Sequence, residues 1–198
     1  MRTSFGLMPN CSVNRTLTRC AGSRRLPQAL CAMHSQVCPG CQANLPPIDG
    51  PTHGYMESSP ACWAKFGKLL VREYSDYRYM AAHQLTVDAY AIQHPGQPSP
   101  QSIQSVCVHL VSLYASLERD ISFARVPALR KRCAHSNAFL WLEPPASRGS
   151  LTVLHALSAQ TPGEHMQRVR EWAQICWDAW AAHHSRVVEW FAMYGGGT

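Results

Sequence analysis

Hydrophobic residues recur at helical spacing along most of the chain. Ser59-Pro60 has the form of a helix start, a serine N-cap with proline in the first helical position. From there Trp63, Phe66, Leu70 and Tyr74 fall on one face. Asp76 caps a second helix expected to run to about Gln93, where His94-Pro95-Gly96 stops it. Ser99-Pro100 repeats the start signal. It opens a third helix with Ile103, Val106, Leu110, Leu113, Tyr114 and Leu117 at spacings of three and four. Between residues 120 and 149 the rhythm fades. Phe139 to Leu142 is a short apolar run closed by Glu143-Pro144-Pro145, expected as an extended segment lying over the bundle. A short helix is expected near Thr152 to Ala159. Thr161-Pro162-Gly163-Glu164 reads as a capping box opening a helix to about Tyr194, with Trp172, Cys176, Ala179, His183, Val187 and Trp190 on one face. At ~1.5 Å per residue that helix would reach ~45 Å, so a kink is expected. There is no internal repeat and no alternation strong enough to build a sheet. The expected fold is all-α, a bundle of four to five helices.

Composition adds constraint to this pattern. Of 198 residues, 46% are hydrophobic and only 15% charged, against ~25% in an ordinary soluble domain. Much of the helical surface must therefore be buried. No run approaches ~18 consecutive apolar residues, so no membrane span is expected. The net charge of +6 is unevenly placed. Residues 1–37 carry Arg2, Arg15, Arg19, Arg24 and Arg25 and no acid, whereas in 38–198 thirteen basic residues face twelve acidic ones. A near-neutral body argues against nucleic acid as a partner, because phosphate binding needs clustered cations. The Arg-, Ser- and Thr-rich tail, 1–37, has no hydrophobic periodicity. It is expected to be disordered, or to precede a true start at Met33. The helical domain is expected to span 38–194.

The nine cysteines are odd in number and follow no secretory signal, so metal binding is favoured over disulfides. Cys11, Cys20 and Cys31 fall in the tail. Cys107 and Cys176 sit on apolar helix faces and read as core hydrophobes. Cys38-Pro39-Gly40-Cys41 is different, because the Pro-Gly pair makes a tight turn that aims both sulfurs at one point. It opens a proline- and glycine-rich loop that needs something to hold it. A tetrahedral structural site takes four ligands. His53 in the same loop and Cys62 one turn into the first helix complete a Cys3His set with spacing C-x2-C-x11-H-x8-C. The expectation is a structural zinc ion on Cys38, Cys41, His53 and Cys62, clamping the loop 38–62. A redox CxxC is the rival; it would open a helix after a strand, and Leu45-Pro46-Pro47 follows instead.

A second constellation lies in the core. From Tyr79 to Leu117 the only formally charged side chain is Asp88. A lone buried carboxylate is costly unless hydrogen-bonded or paired. His109 stands in a stripe of Ser102, Ser105, Ser112 and Ser116 at helical spacing. Two readings stay open. One is close helix packing with His109 hydrogen-bonded in the core. The other is a polar cleft in which Asp88, His94 and His109 perform acid–base or metal-assisted chemistry.

Taken together, Cys38-Pro-Gly-Cys41, Asp49-Gly-Pro-Thr-His53-x-Tyr55, Ser59-Pro-x-Cys62-Trp63 and Val87-Asp-Ala-Tyr-Ala-x-Gln-His-Pro-Gly96 resemble a family of uncharacterised bacterial proteins, a domain of unknown function. The likeness continues through Gln104-Ser-Val106, His109-Leu110, Trp141-Leu-Glu-Pro-Pro145 and the tryptophan-rich last helix, covering about 38–191. The resemblance implies a bacterial, cytoplasmic protein and transfers no activity, substrate or cofactor. Function is therefore expected to be a zinc-stabilised helical domain that binds a protein partner or a small ligand. The alternative is a metal-dependent or acid–base enzyme of the hydrolase kind, built on a buried cleft of Asp88, His94 and His109.

Overall fold

Cys38 and Cys41 stand at the ends of a tight turn, and the chain on either side pairs as two short antiparallel strands, β1 (Gln36–Val37) and β2 (Asn44–Leu45). A computed structural model describes residues 35–134 and 136–195. The readings made for Met33 and for Cys11, Cys20 and Cys31 lie outside the described residues. Gln36 and Val37, assigned to the tail on sequence, belong to this hairpin. Two residues are too few to show an alternating pattern, which is why no strand was expected ahead of Cys38.

Helices make up nearly all the remaining regular structure. They are α1 (Pro60–Ser75), α2 (Tyr77–Met80), α3 (His83–Gln93), α4 (Pro100–Leu117), α5 (Val126–Cys133), α6 (Val153–Leu157), α7 (Pro162–Ala179) and α8 (His184–Gly195). The start signals behave as their chemistry dictates. Ser59, Ser99 and Thr161 accept the backbone N–H of Cys62, Ser102 and Glu164. Glu164 reaches one residue beyond the usual capping-box partner, accepting from the N–H of Gln160 at 2.7 Å.

Eight helices among the described residues exceed the four to five expected, for three local reasons. The helix expected over 77–93 breaks at Ala81-Ala82 into α2 and α3. The one expected over 162–194 breaks at Trp180, where a 3-10 turn, Ala181–His183, separates α7 from α8. Trp180 is buried there, its indole N–H on the carbonyl of Ile92. Third, α5 was not anticipated: Val126, Leu129 and Cys133 face inward at helical spacing, but Arg130, Lys131 and Arg132 mask so short a stripe. Phe139 and Leu142 are buried on an irregular segment, as anticipated, with Leu140 exposed between them.

α3 is the central element, packed against α4 and α7, while α8 returns over α4 and α6 bridges α1 and α7. Eight of its eleven residues are buried. The buried tryptophans of α7 satisfy their N–H groups as buried indoles must: Trp172 donates to Gln93 and Trp177 to Glu118. On α1 the inward stripe is Cys62, Phe66, Leu69 and Glu73, rotated from the expected face, and Tyr74 is exposed.

Glu73 is fully buried and joins three helices. Its carboxylate accepts from His83 Nδ1 (2.8 Å), His165 Nε2 (3.0 Å) and Thr86 Oγ1 (2.5 Å). His83 is held in the matching tautomer by Tyr74, whose hydroxyl donates to His83 Nε2 at 3.1 Å. Burial alone would raise the Glu73 pKa, but the donors from His165, His83 and Thr86 outweigh it and hold the carboxyl below its usual 4.5. A group whose folded pKa lies below its unfolded one stabilises the fold above the unfolded value, and loses that contribution as pH falls through the folded value. Glu73→Ala is expected to cost about 3 kcal/mol at neutral pH, since it strands the buried donors of His165 and Thr86 and the partly exposed one of His83. In urea unfolding, the gap between wild type and variant should narrow once pH drops below 4.5; a gap constant down to about pH 3 would contradict the assignment.

Candidate metal centre

Cys38 and Cys41 reach a common point from the hairpin turn. Cys38 N–H donates to Ala43 O and Gln42 N–H to Cys38 O, both at 2.9 Å, and Gln42 takes the left-handed conformation (φ 60°). Cys62 arrives from the first turn of α1. The fourth member is His94, at the end of α3. One ligand atom from each of Cys38, Cys41, Cys62 and His94 lies within 4.8 Å of all the others, and all four residues are buried.

The spacing suits a metal ion. A tetrahedral centre with sulfur at about 2.3 Å and nitrogen at about 2.0 Å places its ligands about 3.8 Å apart (S–S) and about 3.5 Å apart (S–N). Here Cys41 Sγ–Cys62 Sγ is 3.7 Å and Cys62 Sγ–His94 Nε2 is 3.4 Å. His94 Nδ1 donates to the carbonyl of Tyr90 at 2.8 Å. This fixes the tautomer, leaves the Nε2 lone pair facing the sulfurs, and is the usual second contact of a metal-binding histidine. Around the sulfurs, Ser59 N–H donates to Cys38 Sγ (3.5 Å) and Tyr90 hydroxyl to Cys62 Sγ (3.7 Å).

The thiols also respond to one another. Hydrogen bonds from the Cys41 and Cys62 thiols hold the Cys38 thiol far below its usual range. The same contact with Cys38 pushes Cys41 up to about 11, and contacts with Cys38 and Cys41 push Cys62 higher still. One thiolate is thus favoured and a second resisted, until a cation replaces the protons.

Gly40 makes the approach possible. A Cβ there would lie 2.2 Å from His94 Cδ2 and 2.5 Å from the carbonyl of Glu57. Arg148 closes the outside of the turn, donating to the carbonyls of Pro39 (3.2 Å) and Gly40 (3.0 Å).

His94, not His53, joins the three cysteines. His53 Nδ1 accepts the N–H of Tyr55 at 3.4 Å, and its ring lies edge-on to Tyr55 and Trp63. Sequence proximity favoured His53, whereas the packing of α3 against its neighbouring helices brings its far end to the knuckle. The signal available was a histidine ending a charge-poor buried helix.

His94 is correspondingly absent from the Asp88 group. The two are six residues apart, about 9 Å along a helix and a third of a turn around it. Asp88 and His109 do meet. Asp88 Oδ1 accepts from His109 Nδ1 (2.6 Å) and Gln84 Nε2 (2.9 Å), and Oδ2 from Ser112 Oγ (2.5 Å). Gln84 in turn accepts from Arg130 at 3.2 Å. The remaining inner thiols are ordinary core groups: burial pushes Cys107 up to about 12 and Cys133 up to about 11, which leaves them unreactive.

The family model of DUF5946, a family of unknown function, matches residues 36–181. Comparison with curated proteins and comparison with solved structures return no match. The matched span includes all four members of the cluster.

Gly40→Ala is expected to weaken metal retention and to cost about 2 kcal/mol, because His94 or the 54–57 loop must move. Thermal melting with metal analysis checks this; unchanged melting and full metal content would contradict the packing described.

Proposed function

The chain belongs to the DUF5946 family, and we propose that it is a zinc-structured helical domain that binds a partner or ligand and performs no metal chemistry of its own. The observation carrying this reading is the closed ligand set: Cys38, Cys41, Cys62 and His94 are four protein donors, all buried. Catalytic zinc keeps a position for water or substrate, whereas structural zinc is closed by four protein ligands. Three thiolates and an imidazole at these spacings favour Zn2+ over hard cations, which take oxygen ligands.

The acid–base alternative has weaker support. Asp88 is fully buried and already accepts three hydrogen bonds from neighbouring side chains, and His94 is directed at the sulfurs. No helix among the described residues is long and apolar enough to cross a membrane. Free buried thiols at six described positions fit a reducing compartment such as the cytoplasm.

Elemental analysis of protein purified under reducing conditions tests the reading. About one zinc per chain is expected in wild type and in His53→Ala, and well under half that in Cys41→Ser and His94→Ala. Loss in His53→Ala with retention in His94→Ala would overturn the ligand set. A second metal equivalent that disappears with His109→Ala would restore the enzyme reading.

A further inference from the structure

With the metal site closed and each inner carboxylate buried against three donors, the place for another molecule is an open cleft. Two clefts, about 340 Å3 and about 310 Å3, lie beside the knuckle and share Glu57, Gly96 and Gln97. Through these shared residues they adjoin as one trough, and two of the three meet where Gln97 Nε2 donates to Glu57 Oε1 at 3.2 Å. Its walls come from residues 54–57, 96–102 and 141–148. These are the ends of three motifs, Asp49 to Tyr55, Val87 to Gly96 and Trp141 to Pro145, that are far apart in sequence. Gly96 (φ +70°) permits the junction, since a Cβ there would meet the carbonyl oxygen of Tyr55 at 2.1 Å.

The lining has a definite charge. Among the described residues the Glu57 carboxylate accepts a neutral amide from Gln97, and the carboxylate of Glu143, which is exposed, accepts the indole N–H of Trp141 at 3.1 Å, while the Glu143 carbonyl accepts from His183 Nε2 at 2.9 Å. Among the described residues neither glutamate belongs to an ion pair. Trp141 is half-buried and lines the same lobe as both glutamates and Pro144-Pro145. Arg148 also lines the trough and keeps its charge while donating to the carbonyls of the knuckle, so two carboxylates and one guanidinium leave the lining net negative. Two carboxylates outside any ion pair, in a net negative lining beside an indole, favour a planar cation, which can fork onto a carboxylate and stack on the ring at once.

We propose that this trough is a docking site for an arginine side chain presented by a segment of a partner protein. Each lobe has room for one long side chain. The metal clamp matters because the carbonyl of Glu57 rests on Gly40 of the knuckle. The inference rests on the binding-domain reading and names the chemistry of its partner.

The test uses the zinc-loaded full chain and three short end-blocked glycine peptides that differ only in a central arginine, glutamine or glutamate. Binding is followed by NMR through the indole N–H of Trp141. The arginine peptide is expected to bind about tenfold more tightly than the glutamine peptide, and the glutamate peptide more weakly still. Glu143→Gln and Glu57→Gln should each weaken arginine binding several-fold without changing metal content. Arginine binding no tighter than glutamine binding, or insensitive to both substitutions, would overturn the cation assignment while leaving a ligand-binding trough. No response to any of the three peptides would remove the trough assignment, while the binding-domain reading stands or falls separately on the closed ligand set. Loss of zinc would be registered separately by elemental analysis.

Discussion

Three sulfurs and one imidazole nitrogen, supplied from a hairpin turn, the first turn of α1 and the last residue of the α3 segment, meet at one buried point. The irregular chain between the hairpin and α1 depends on that meeting. It is rich in proline and glycine, and its tertiary hydrogen bonds are few: Ser102 to the Tyr55 carbonyl, Gln97 to Glu57, and Ser59 N–H to Cys38. Without an ion, the buried thiols favour a single thiolate and offer weak hydrogen bonds. With one, the thiolates and the imidazole become a cross-link joining positions 21 and 32 residues apart, and closing such loops restricts the unfolded chain as well as fixing the folded one.

The rest of the domain accounts for its low charge in a consistent way. α3 is enclosed by α4 and α7, so any charge on it must be neutralised locally. Asp88 is met by His109, Gln84 and Ser112, and on the other side of the bundle Glu73 is met by His83, His165 and Thr86. Each carboxylate is satisfied by donors from a neighbouring helix and so fixes helix register. The serine stripe on α4 belongs to the same scheme. Ser102 and Ser112 point inward and donate to Tyr55 and Asp88, and their small side chains allow α4 to approach closely.

Much of this was legible in the sequence where a local rule operates. The Ser-Pro and Thr-Pro starts, the stop at His94-Pro95-Gly96 and the extended Phe139 to Leu142 segment depend on neighbouring residues alone. A kink in the long helix is expected from its length alone, but its place at Trp180 is set by the indole that reaches the carbonyl of Ile92 across the core, and the break at Ala81-Ala82 has no local signal. The metal cluster divides in the same manner. Cys38, Cys41 and Cys62 could be grouped because a loop and one helical turn separate them. His94 could not, because only the tertiary packing of α3 brings residue 94 beside residue 62, and His53 was the nearer histidine in sequence. Pairing Asp88 with His109 required only that two charge-poor helices pack face to face.

X-ray absorption at the metal edge tests the central claim most directly, since it reports ligand type and distance without altering a residue. The account predicts three sulfur neighbours at about 2.3 Å and one imidazole nitrogen at about 2.0 Å, with no solvent oxygen. A shell with two sulfurs, or with an oxygen in the fourth position, would contradict a closed site. It would make the metal a centre for chemistry and not a clamp.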